Sequence, residues 1–167
     1  MFLEMKIAGL TLDPTTNMPI IILKDLNGNN ALPIWIGIAE ASAIATKLEN
    51  VDLARPMTHD LMRNILVKLE VTLEKIEVTD LRDNTFYANI YLRVGNRVVP
   101  IDSRPSDAIA LALRTDSPIF VNEEVIKKSR RAGWSVDQGD ESDEAQKERW
   151  AEILESLTPE AFGKYKM

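Results

Sequence analysis

The chain has 167 residues, a net charge of −6, one histidine and no cysteine. Disulfides, cysteine-ligated zinc and thiol nucleophiles are therefore excluded, as is a site built from several histidines. Any metal would rest on carboxylates, which favours magnesium or manganese.

The opening MFLEMKIAGL carries Glu4 and Lys6, and no run of 18 apolar residues follows, so a cytoplasmic protein with no membrane partner is expected. Residues 3–12 alternate as a strand, and Asp13–Asn17 is a turn. Met18–Leu23 is an apolar run of strand length, buried on both faces. Asn27-Gly28 marks a hairpin. Leu32, Ile34, Ile36 and Ile38 alternate, with Trp35 opposite, and a helix follows over Ala39–Leu48. Thr58 is placed as the cap of a linking helix, 58–69, with Asp60 in its first turn and a stripe of Leu61, Met62, Ile65, Leu66 and Leu69. Val71–Thr79, Phe86–Val94 and Val98–Ile101 read as strands, and Arg104–Arg114 as a helix with Pro105 in its first turn. Pro118–Val121 is a short strand, and Asn122 caps a helix through Lys128. Ala132–Ser142 reads as mobile, with Asp137–Glu144 a solvated linker. Trp150, Ile153, Leu154 and Leu157 give a last amphipathic helix, and Thr158-Pro159 starts a terminal turn.

The chain contains one unit twice. At an offset of 67 residues, Asp13, Asn17, Gly28, Asn29, Pro33, Ile34, Ala41, Ala43 and Ala45 fall on identical residues from Asp80 to Ala112, and Glu40 falls on Asp107. Matches at Gly and Asn carry weight because they mark backbone positions. The expected fold is α+β: duplicated β-β-β-α units at about 5–49 and 72–116, forming a mixed or antiparallel sheet core with packed helices. Residues 1–131 form the domain, and 132–167 an acidic, mobile-to-helical extension. The domain holds 16 Lys and Arg against 17 Asp and Glu, so −1; the extension holds 4 against 9, so −5. Neither has the basic footprint of a tight nucleic-acid binder.

Pro100–Leu113, PIDSRPSDAIALAL, concentrates the chemistry. Asp102 ends a strand and Asp107 lies in the first turn of the next helix, so both reach one lip of the sheet. Two carboxylates there suit a divalent ion or a general base, and Arg104 suits a phosphate. The same residues equally suit a structural corner, with Asp102 or Ser103 capping the helix and Asp107 answering its dipole. His59 suits acid–base work near neutral pH, or a surface or capping role. Trp35, Tyr87 and Tyr91 suit base stacking, though such residues more often serve a core or interface.

LPIWIG at 32–37, Glu40-Ala41, RPMTHDL at 55–61, DNTFYA at 83–88 and IDSRPSDAIALA at 101–112 resemble the bifunctional nuclease, or BFN, domain over residues 4–130. The resemblance implies a nuclease acting on DNA and RNA, and Glu40, Arg55, His59, Asp60, Asp102, Ser103, Arg104 and Asp107 fall on its polar motifs. The roles expected are His59, steadied by Asp60, as acid or base, with Arg104 and Asp107 beside them. Arg55, Arg104 and Ser103 would bind phosphate, and Asp102, Asp107 and Glu40 would hold magnesium or manganese. Nucleic acid would bind weakly and with salt sensitivity, helped by a strip of Arg55, Arg63 and Lys68. A homodimer or higher homo-oligomer is expected. The alternative is a regulatory module that binds a small ligand or a protein without turnover.

Overall fold

The computed structural model describes residues 1–135 and 151–152. The first unit is strand β1 (Phe2–Leu12), β2 (Pro19–Asp25), β3 (Ala31–Trp35) and helix α1 (Ile38–Leu48). Helix α2 (Thr58–Lys68) links it to β4 (Thr72–Arg82), β5 (Thr85–Val94), β6 (Arg97–Ser103) and α3 (Pro105–Thr115). Strand β7 (Ile119–Asn122) and α4 (Glu123–Arg131) follow. The β-β-β-α arrangement therefore occurs twice, as the sequence pattern predicts.

The strands form one seven-stranded sheet in the order β3-β2-β1-β7-β4-β5-β6. Each unit contributes an antiparallel meander, and β7 joins them, antiparallel to β1 and parallel to β4. The sheet is thus mixed only at its centre. The turn residues shared at the 67-residue offset do the same backbone work in both meanders. Asn17 and Asn84 are left-handed at φ 59°, and Gly28 and Gly95 at 74° and 59°. Asp83 at 48° joins Asn84 in a two-residue loop whose positive φ values match the twist of a hairpin.

Burial follows the pattern. Pro19–Leu23 is buried throughout, but Met18, expected in the same run, lies ahead of β2 and is 44% exposed. Helices α1 and α3 pack on each other, with Ala41 and Ala45 on one and Ala108 and Ala112 on the other at 0–1% exposure. Small side chains at this spacing let two backbones approach closely, and that brings the starts of the two helices together.

Three local readings are corrected. Ile38 is the first residue of α1 and is exposed, because β3 ends at Trp35. The cap of α2 is Met57, not Thr58; the Met57 N–H donates to Asp60 Oδ2 at 2.9 Å. The expected apolar stripe of α2 is only half used. Met62 and Leu66 meet the core, while Leu61, Ile65 and Leu69 are 48–67% exposed. One narrow face of α2 rests on α3, so the flanks of the stripe stay outside.

Asn122 caps α4 as expected, accepting from the Glu124 N–H at 3.1 Å. The segment read as mobile from Ala132 begins as a helix end, with Gly133 at φ 79° and the Trp134 N–H bonded to the Ser129 carbonyl. The Trp134 ring lies 5.4 Å from that of Trp35 and 6.0 Å from that of Phe86, so Trp35 serves packing here. The Asp137–Glu144 linker, most of the predicted last helix and the terminal turn lie outside the described residues. None of the described helices is long and apolar enough to cross a membrane.

Candidate functional site

Both repeat units turn from their third strand into their helix at the same place. Gly37 is the N-cap of α1, and Arg104, its equivalent at the 67-residue offset, is the N-cap of α3. Three residues on, Glu40 and Asp107 are the acidic residues of the two first turns, where the helix dipole favours negative charge. One guanidinium joins them. Arg104 Nε donates to Asp107 Oδ2 and Nη1 donates to Glu40 Oε1, each at 2.7 Å. The absence of a Cβ at Gly37 makes room for this, since a methyl there would overlap Glu40 Oε2.

His59 approaches from α2. It is 9% exposed, and its Nε2 lies 3.0 Å from Asp107 Oδ1. Burial pushes the Asp107 carboxyl up, but the bonds from Arg104 and His59 outweigh it and hold the group below the usual carboxylate range. An ionised carboxylate only accepts, so it takes the hydrogen bond from His59 Nε2. These groups line a cavity of about 450 Å³ with Ser42, Thr46, Leu53, Met57 and Arg114. Ser42 Oγ is buried and has no partner among the described residues.

Asp60 turns the other way. Besides capping α2, it accepts from Arg114 Nε at 2.6 Å. Burial opposes its charge, and the Met57 N–H and Arg114 overcome that and lower its pKa. Arg114 also donates to the carbonyls of Ala110 and Ala43, at 2.8 and 2.9 Å. It therefore ties α1, α2 and α3 together behind the cavity. Sequence reasoning missed this residue, whose signal is a lone arginine ending the apolar run ALALRT.

The structure brings together Glu40, His59, Arg104 and Asp107, and sets Asp60 beside them through Arg114. His59 is steadied by Asp107 and not by Asp60. Asp102 is elsewhere: it is exposed on the edge strand β6, paired with Asn89. Ser103 Oγ donates to the Arg104 carbonyl at 2.8 Å. Arg55 lines a neighbouring cleft. Among the described residues no three His, Asp or Glu side chains gather as an ion-holding group. Glu40 and Asp107 have the oxygen chemistry a hard cation needs, but they share the Arg104 guanidinium instead.

Fold and cavity define an α+β protein with a histidine–aspartate pair in a cavity where the helix starts of two repeated units meet. The bifunctional nuclease domain matches residues 21–132, more than half of the chain, and the protein belongs to that family. An uncharacterized protein of Mycobacterium tuberculosis (strain CDC 1551 / Oshkosh) is 36% identical over 167 residues, covering 95% of this chain and 97% of that one. Bifunctional nuclease 1 of Arabidopsis thaliana is 32% identical over 109 residues, 63% of this chain and 34% of its own. Bifunctional nuclease 1 of Oryza sativa subsp. japonica is 27% identical over 109 residues, 63% and 33% of the two chains.

Proposed function

We propose that this protein is a cytoplasmic nuclease that hydrolyses phosphodiester bonds of DNA, RNA or both. Family membership supports the reaction class. The observation that carries the assignment to this cavity is Asp107, which bonds a buried histidine through one oxygen and an arginine through the other.

Asp107 fixes the His59 tautomer, and His59 Nδ1 takes a proton from the attacking water as its oxygen bonds to phosphorus; the ester P–O bond breaks, and the leaving oxygen takes a proton from solvent water. Arg104 is 64% exposed at its side chain, so it is free to turn from Glu40 toward a bound phosphate and stabilise the charge that develops there. No step here runs through a metal, because the nearest carboxylates already hold Arg104. Magnesium or manganese remains part of the proposal as an added cofactor. Should it bind, Glu40 and Asp107 would supply oxygens to it, and it would act as a Lewis acid. We also propose that the chain self-associates, which sedimentation would read directly.

Labelled single-stranded DNA and RNA, incubated with purified protein in magnesium, manganese or EDTA, test this reading. Cleavage by the wild type that is lost in His59→Ala and Asp107→Asn is the expected result. Oligonucleotide bound but never cut under any metal condition overturns it in favour of a regulatory binding module.

A further inference from the structure

The cavity that holds His59 is poorly charged for its proposed task. Glu40 and Asp107 share one arginine there, so an incoming phosphodiester meets a surplus carboxylate. The missing positive charge lies next door. A cleft of about 520 Å³ runs between the end of α1, the 49–57 connection and α2. It shares Thr46, Leu53 and Arg114 with the His59 cavity, so the two are contiguous.

Lys47, Arg55 and Arg63 line this cleft, and all three are exposed. None of the three side chains has a hydrogen bond or a salt bridge within 4 Å to another described residue, and Arg63 acts on the Asp60 carboxylate only at longer range. Against them stand Asp52 and Asp60, and Asp60 is already paired with Arg114. Three cations thus face one unpaired carboxylate. In a domain whose net charge is −1, this local excess runs against the bulk balance.

We propose that the cleft is a backbone-phosphate subsite for one strand of nucleic acid, gripping the phosphates that flank the one presented to His59. This choice of ligand rests on the nuclease reading above. Arg55 keeps the phosphate role expected from the sequence. Of the strip expected from the sequence, Arg63 lines the cleft with Arg55 and Lys68 does not, while Lys47 joins them. Three contacts suit a single strand, whose binding then depends on salt with a slope of about −0.7 per phosphate neutralised.

The test is fluorescence anisotropy of a labelled oligothymidylate, in EDTA, with the full chain, at stepped salt concentrations. Each of Lys47→Gln, Arg55→Gln and Arg63→Gln is expected to flatten the slope by about 0.7. The triple variant is expected to bind at least tenfold more weakly. Lys127→Gln removes the same unit charge from α4, where Lys127 pairs with Glu124, and is expected to change neither quantity by more than twofold. His59→Ala is expected to bind like the wild type and fail to cut, which separates binding from chemistry. Wild-type binding in the triple variant, an equal loss in Lys127→Gln, or no binding by the wild type would each overturn the proposal. A wild type that binds through the cleft but never cleaves leaves the subsite standing and removes only the nuclease reading.

Discussion

Replacing Arg114 by methionine removes the tie between three helices. The arginine side chain is 5% exposed and makes one ion pair and two carbonyl bonds. Methionine fills much of the same volume, so the loss is mainly electrostatic. Breaking a buried pair by removing one partner costs about 3–5 kcal/mol. Asp60 is 28% exposed and keeps the Met57 N–H, which places Arg114→Met near the lower end, about 3 kcal/mol. For a domain of this size that corresponds to a drop in Tm of roughly 10 °C. Urea titration should show a lower midpoint with an unchanged slope. A double-mutant cycle with Asp60→Asn should return a coupling of about 1–3 kcal/mol. A loss below about 1 kcal/mol with no coupling would show that α1, α2 and α3 are held by packing alone.

Asp107→Asn keeps the shape of the site but no longer fixes the His59 tautomer. Turnover should fall by about 10²–10⁴, the range general-base action contributes, because His59 loses the tautomer that makes it the base, while circular dichroism stays native. Acid should weaken the fold through Asp60 and Asp107, both of which ionise more easily in the folded state. Their contribution is present above the unfolded value of about 3.9 and is lost as pH falls through the lower folded values. Urea unfolding between pH 6 and pH 3 should therefore steepen toward acid in the wild type and flatten in Asp60→Asn. Gly37→Ala should cost less than about 1 kcal/mol, since φ is −73° and the obstacle is a side-chain tip. It should nevertheless displace Glu40 from Arg104, read as a changed KM in the cleavage assay.

The internal repeat made the fold legible. Asn and Gly at shared positions specify left-handed turn residues, with one such match in each of the four hairpins of the two meanders. Alternation gave the strands, because a half-buried strand repeats every second residue. Helix ends were less legible. Met57 displaced Thr58 as the cap because Asp60, three residues on, reaches back to its N–H. The α2 stripe was legible as apolar, but periodicity does not say how wide a groove the helix will meet.

For the candidate site, residue types along the chain determined which groups have chemistry to offer: Glu40, His59, Arg104 and Asp107 stand in polar motifs beside helix starts. Only the tertiary structure decided who meets whom. Asp102 and Asp107 are five residues apart, yet one lies on an exposed edge strand and the other in a cavity. His59 and Asp107 are 48 residues apart and share a hydrogen bond. Local spacing constrains neighbours within a turn or a strand. The partner of a side chain on another element depends on how the alanine faces of α1 and α3 dock, and that is a property of the packed whole.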